Sequence, residues 1–170
     1  MNIEIYPQEM VVIDGAEIYF GMKRSAVETA IGKGQLVRNR YYYYNNEMAI
    51  DYNVDKEVEF IEFLGGIDGS LHPNIYGVSA FEVFADDLVN LLRQKNAGEV
   101  GDSERGYCYS FFNISIGIYR ERKLSDVEEM IAEQKVSGIP FEDNDYVAME
   151  MKRANHWSAI GAGIKEYYKR

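Results

Sequence analysis

The chain is poor in the residues that most often announce a chemistry. Its 170 residues hold one cysteine, Cys108, two histidines, His72 and His156, one tryptophan, Trp157, and three prolines. A single cysteine excludes an internal disulfide and any cysteine-cluster zinc site. Cys108 stands between Tyr107 and Tyr109 in a strand-like run, which favours a structural thiol and a reducing compartment. Neither histidine has a neighbour at ligand spacing, so no metal or other cofactor is expected. No apolar run approaches the roughly 18 residues needed to cross a bilayer. The start, Met1-Asn2-Ile3-Glu4-Ile5-Tyr6, lacks the basic and apolar regions of a secretion signal. The expectation is a cytoplasmic protein with no membrane association. Positive charge is also scarce: 18 Lys and Arg face 28 Asp and Glu, a formal net charge of −10. That argues against non-specific nucleic-acid binding, which needs clustered cations. Solubility accounts for such a charge, and so does attraction of a basic protein partner.

Nucleotide and nucleophile motifs are missing as well. Gly32-Lys33-Gly34 is not a phosphate loop, because Val27 stands where the first glycine belongs and Gly34 where Ser or Thr belongs. Gly77-Val78-Ser79-Ala80-Phe81 lacks the final glycine of a nucleophile elbow. Gly161-Ala162-Gly163 is followed by Glu166 where a dinucleotide loop has its third glycine. Asn113-Ile114-Ser115 is a glycosylation sequon, without consequence in the absence of secretion.

What the chain has in quantity is tyrosine, 14 residues, within an aromatic fraction of 14%. Tyr suits strands and interfaces, since its ring covers area while its hydroxyl tolerates water. The length fits one domain, 1–170, with sub-units 1–64 and 75–170 joined by a turn-rich linker, 65–74.

Taken in order, Ile3 to Tyr6 reads as an edge strand ended by Pro7. Met10–Ile13 and Ala16–Phe20 flank Asp14-Gly15, a strong hairpin signal. A short helix then places Val27, Ala30 and Ile31 on one face and stops at Gly32. A three-stranded meander follows: Leu36 to Tyr44, then Met48, Ile50, Tyr52 and Val54 alternating, then Val58 to Leu64 with a bulge or two-sided burial near Ile61 and Phe63. The second half repeats the order with a helix from Ala85 to Gln94, a polar loop over 97–106 and a hairpin around Asn113. A helical insertion opens on a capping-box-like Ser125-Asp126-Val127-Glu128, and a second helix runs from Asp145 to Arg153. Trp157 to Tyr168 reads as the last strand, with Gly161 and Gly163 leaving one face open to a backbone or an aromatic ring. The predicted fold is α+β: an antiparallel sheet built from two diverged helix-plus-three-strand units, with a helical insertion before the last strand.

Ile18-Tyr19-Phe20-Gly21-Met22, followed by Ser25-Ala26-Val27 and Ile31-Gly32, resembles the β-lactamase-inhibitor-protein-like fold. The match covers roughly a tenth of the chain. The resemblance implies tandem helix-plus-sheet repeats and a concave, aromatic-rich sheet offered to a protein partner. The family's proline after the helix-ending glycine is replaced here by Gly34-Gln35, and the inhibitors' disulfides and signal peptides are absent. The composition also resembles small acidic immunity proteins that neutralise bacterial toxins.

Two readings of function follow. In the first, the protein is a non-enzymatic binding module, and Arg38, Arg40, Tyr42 and Tyr44 share the solvent face of the tyrosine strand. Asp51, Glu57, Glu59 and Glu62 then supply an acidic patch that steers a basic protein. Glu142, Asp143 and Asp145 form a second acidic group. Cross-strand packing of the tyrosines and a solvated acidic face explain the same residues without any partner. In the second reading, a small ligand is bound or hydrolysed in a pocket near His156, Trp157 and Cys108. A homodimer formed through an edge strand is a third arrangement.

Overall fold

The structure is a computed structural model and describes residues 1–138 and 144–169. The acidic pair Glu142 and Asp143 lies outside the described residues. The fold is α+β, with four helices and thirteen strands among the described residues, and the strands pair almost entirely antiparallel.

Strands β1 (Ile3–Tyr6), β2 (Met10–Ile13) and β3 (Ala16–Tyr19) form a meander. Asp14 and Gly15 take φ of 47° and 87°, the positive values that a tight two-residue hairpin requires. β1 is not an edge strand: its other side pairs in parallel with the two-residue strand β8 (Asn74–Ile75), itself joined to β9 (Val78–Ser79). The resulting sheet has the order β3-β2-β1-β8-β9. Ile3, Ile5, Val11, Ile13 and Ile18 are buried on its inner face.

Helix α1 (Arg24–Ile31) buries only Val27; Ile31 is half-buried and Ala30 exposed. The next run is two strands rather than one. β4 (Gln35–Val37) and β5 (Arg40–Tyr43) are joined by a turn at Arg38-Asn39, with Arg38 at φ 57°. That turn has no glycine, so it left no mark in the sequence. β6 (Met48–Tyr52) and β7 (Val58–Phe63) complete the meander. Val54 does not continue the alternation of β6; it stands almost fully exposed in a turn held by Asn53, whose side-chain oxygen accepts the Asp55 and Glu57 N–H groups. A bulge is present, but before Ile61 and Phe63, which pair in regular register: the pairing shifts from Asp51–Phe60 to Tyr52–Val58, leaving Glu59 as the extra residue.

Helix α2 (Ala85–Asn96) buries Ala85, Leu88, Val89, Leu92 and Asn96, an amphipathic stripe. Asp86 and Asp87 in its first turn and Arg93 and Lys95 in its last complement the helix dipole. The polar loop after it contains a short strand, β10 (Val100–Gly101), followed by β11 (Cys108–Phe111) and β12 (Ile116–Tyr119). The inserted helices are α3 (Leu124–Val136) and α4 (Asn144–Ala154). Ser125 lies inside α3; the residue at the helix entry is Lys123, whose N–H donates to Asp126 at 2.7 Å. β13 (Ala159–Gly163) is the last strand and is shorter than the 157–168 strand that alternation suggests, because the chain turns away at Ile164.

The large sheet runs β10-β11-β12-β13-β7-β6-β5-β4, so β13 and β7 meet antiparallel at its centre. After β3 the first half runs α1, β4, β5, β6 and β7, whereas the second runs α2, β10, β11 and β12, then α3 and α4, then β13. The inward residues of both sheets and of α2 join one hydrophobic core, with Tyr43, Ile50, Ile61, Phe63, Ile116, Trp157 and Ile160 among its members. No described helix is long and apolar enough to cross a membrane.

Candidate protein-binding face

Strand alternation gives the large sheet two unlike faces. The inner face carries Tyr41, Tyr43, Met48, Ile50, Ile61, Phe63, Ile116, Ile118, Ile160 and Ala162, and it meets the core. The opposite residues of the same register make an outer face of a different kind. Gly117, Gly161, Gly163, Ala159 and Ala49 form a low central floor, and Arg40, Tyr42, Asp51, Phe60, Glu62, Cys108 and Tyr119 rise around it.

Arg40 is the centre of the polar part. Its Nε donates to Asp51 Oδ1 at 2.7 Å and its Nη1 to Glu62 Oε2 at 2.7 Å. The guanidinium carbon lies 6.0 Å from the ring centres of both Tyr42 and Phe60, within cation–π reach. Nη2 is buried with no hydrogen-bond partner among the described residues. An orphan donor of this kind costs stability unless something supplies an acceptor. The two ion pairs are about one-quarter exposed, so solvent screening leaves them worth only about 1 kcal/mol or less apiece. Their effect is to fix the guanidinium in place.

A groove of about 340 Å³ runs from this cluster past Phe60, Cys108, Gly117, Tyr119 and Ala159 to Tyr167 and Tyr168. Burial pushes the Tyr167 and Tyr168 hydroxyls up, and the neighbouring Glu62 pushes the same way on both. Burial also raises the Cys108 thiol, with Glu104, Asp102 and Glu62 adding to it. A thiol held in its neutral form is a weak nucleophile. The groove therefore offers rings, one oriented cation and carboxylates, a set suited to recognition more than to covalent chemistry.

The structure divides the residues singled out in the sequence. Arg40, Tyr42 and Asp51 come together on the outer face. Arg38 sits in the β4–β5 turn, off the sheet. Tyr44 lies past the end of β5 at φ 49° and packs against the core side, so it does not share the face of Tyr42. Glu57 lies by α1, paired with Lys23 at 2.9 Å. Glu59 occupies the bulge, its carbonyl accepting the Ile164 N–H at 3.0 Å. Of the four tyrosines, Tyr43 is buried and Tyr41, Tyr42 and Tyr44 are half-buried. Tyr43 and Tyr52 share a hydroxyl hydrogen bond of 2.9 Å beneath the sheet, and Arg24 donates to the Tyr41 hydroxyl. Phe60, Tyr119, Tyr167 and Tyr168 join the face although sequence reasoning did not place them there. The signal available for Tyr167 and Tyr168 was the bare glycine face of β13, which calls for a ring to fill it.

His156, Trp157 and Cys108 do not share a pocket. Trp157 is in the core, its indole N–H donating to the Ala85 carbonyl at 2.9 Å and its ring packed by Tyr109 and Arg120. His156 is buried beside it, with Nδ1 3.1 Å from the Val83 carbonyl and its ring stacked on Phe84. Cys108 precedes Tyr109 on β11 and so projects from the opposite face of the sheet. Near the inserted helices lies a different cavity, of about 310 Å³, lined by Asp68, Arg122, Glu150, Arg153 and Trp157. Four of its charges pair with one another: Glu150 with Arg122 at 2.5 Å and Arg153 at 3.0 Å, and Arg153 with Asp68 at 2.6 Å, while Glu121 also lines it. Among the described residues no group of three or more His, Cys, Asp or Glu is placed to hold a metal ion.

Comparison of the chain with protein-family models, with curated proteins and with solved structures returned no match.

Proposed function

We propose that the protein is a non-enzymatic binding module whose outer sheet face receives one basic protein partner, in the manner of an inhibitor or immunity protein of the cytoplasm. The observation that carries this reading is the asymmetry of the large sheet. Its inner face is consumed by the core, while the outer face holds a fixed Arg40 among aromatic rings, its Nη2 unpartnered among the described residues. Tyr119 stands exposed at the rim. Aromatic residues and arginine concentrate binding energy, and the surrounding Asp51 and Glu62 supply the sign that draws a basic surface. The proposed kinship of the halves and the likeness to the β-lactamase-inhibitor-protein-like fold draw on a helix leading into sheet strands in both halves, α1 before β4–β7 and α2 before β10–β12.

The test is site-specific photo-crosslinking in native cells. A benzophenone side chain at Tyr119 is expected to capture a discrete protein, and one at Tyr19, exposed on the small sheet, is expected not to. The adduct should weaken between about 50 mM and about 500 mM salt, as screening shortens the Debye length. No adduct from Tyr119, or an equal one from Tyr19, rejects the reading. A small-ligand site in the 340 Å³ groove is the alternative that Arg40 Nη2 also favours, and it predicts a bound metabolite in place of a protein.

A further inference from the structure

After β13 the chain turns back over the outer face. The Ile164 N–H donates to the Glu59 carbonyl, and a single 3-10 turn, Tyr167–Lys169, lays two rings on the sheet. Tyr167 stacks on Phe60 with ring centres 4.5 Å apart and planes 4° from parallel. Tyr168 stands edge-on to Phe60 at 6.0 Å and to Tyr167 at 5.2 Å.

Glycine makes room for all three rings. A Cβ on Gly163 would lie 2.6 Å from Tyr167 Cβ, and one on Gly117 2.5 Å from Tyr168 Cζ. One on Gly161 would lie 2.7 Å from Phe60 Cε2 and 3.1 Å from the Tyr168 hydroxyl. None of these glycines has a positive φ, so the backbone does not require glycine there. The rings do.

The segment is tied to the sheet at its start, by Ile164 N–H on the Glu59 carbonyl, and its next two backbone bonds are internal. The Tyr167 N–H donates to the Ile164 carbonyl and the Lys169 N–H to the Glu166 carbonyl, each at 3.0 Å. Both bonds lie within the segment, and a lone turn of this length does not persist in water once its rings leave the sheet. The segment reads Ile164-Lys165-Glu166-Tyr167-Tyr168-Lys169, a pair of aromatics bracketed by lysines. The charges felt by the Tyr167 ring are those of Asp51, Glu59 and Glu62, with Arg40 opposing them. The glycine floor and Phe60 match a pair of rings in shape, and the acidic surround favours a positively charged flank, while within the strap Lys169 pairs with its own Glu166 at 3.9 Å.

We propose that this strap is an intramolecular stand-in for the partner: Tyr167 and Tyr168 occupy the seat that a partner's paired aromatic side chains, flanked by basic residues, take on binding. The partner gains the face by displacing the strap. This rests on the reading of the outer face as the binding face. A tethered segment acts at an effective concentration on the order of millimolar, so a strap of about 0.1 mM intrinsic affinity weakens a competing segment about tenfold.

The experiment uses the full-length chain and a labelled synthetic peptide, Ile-Lys-Glu-Tyr-Tyr-Lys, as the probe. Binding is measured to the wild type, to the Tyr167→Ala/Tyr168→Ala variant and to the ring-preserving Tyr167→Phe/Tyr168→Phe variant. The alanine variant is expected to bind the peptide about tenfold more tightly than the other two. Equal binding by all three, or none to the alanine variant, overturns the proposal. Should the alanine variant fail to fold, amide exchange of residues 164–169 in the wild type decides: added peptide accelerates it if the strap is displaced, and an unchanged rate overturns the proposal. Crosslinking from Tyr119 separates the two ideas. A partner captured equally by the wild type and the alanine variant keeps the face and rejects the strap; peptide competition without any captured partner keeps the seat and rejects the protein-binding reading.

Discussion

Replacing Gly161 with Ala tests the packing of the outer face directly. Gly161 lies on the central strand β13, paired with Gly117 on one side and Glu62 on the other. The new methyl carbon would fall 2.7 Å from Phe60 Cε2, well inside van der Waals contact. Phe60 cannot simply swing away, because Tyr167 stacks on it and Arg40 lies over it. Overpacking of this kind costs about 1–3 kcal/mol. Removing a glycine from the unfolded chain returns about 0.4–1 kcal/mol. The steric term wins, for a net loss of about 1–2 kcal/mol. At about 2–4 °C per kcal/mol for a chain of this size, the melting temperature should fall by about 2–8 °C in a calorimetric scan. A Phe60→Leu partner substitution removes the obstructing ring, so the double variant should be more stable than the sum of the two single losses predicts, by about 1 kcal/mol. An unchanged or raised melting temperature in Gly161→Ala, or strict additivity in the double variant, refutes the argument that these rings need a glycine floor.

Three further outcomes are expected. Trp157→Phe removes the hydrogen bond to Ala85 and part of a fully buried side chain, and should cost about 1–3 kcal/mol in urea unfolding followed by circular dichroism; an unaltered midpoint contradicts the core placement. Glu47 is raised by burial, yet the N–H groups of Leu71 and Ser70 and the Ser70 hydroxyl outweigh this and hold it below the usual carboxylate range. Because its folded value lies below the unfolded one, its contribution is complete above about pH 4.3 and is lost as pH falls through the folded value. Glu47→Gln should therefore lower stability at pH 7 and flatten the acid limb of the stability curve, whereas parallel wild-type and variant curves count against it. Cys108, raised by burial and by Glu104, Asp102 and Glu62, should react with a disulfide reagent at pH 8 several-fold more slowly than a free thiol. Equal rates would show that the groove is open to solvent.

Much of the local structure was legible because it depends on near neighbours. Asp14-Gly15 forces a hairpin wherever it lies between apolar runs, and Leu88 and Leu92, four residues apart, mark a helix face without reference to any partner. The bulge near Glu59 showed as a broken alternation. One turn was hidden: Arg38-Asn39 adopts its turn through hairpin pairing, and that divided the tyrosine strand and took Arg38 off its face. Tyr44 was misplaced for the same reason, since alternation stops where φ turns positive.

The sequence alone determined the α+β class, the hairpin, helices α1 and α2, and that the glycines of the last strand leave one face open to a backbone or an aromatic ring. These follow from periodicity and turn chemistry, which are properties of short stretches. Only the tertiary structure decided that β1 is internal, that β13 lies between β12 and β7, and that Arg40, Asp51 and Glu62 meet. It also decided that Tyr167 and Tyr168 occupy the glycine floor. Strand order and the path of the segment after the last strand depend on which distant surfaces bury best together, and no local pattern encodes that choice.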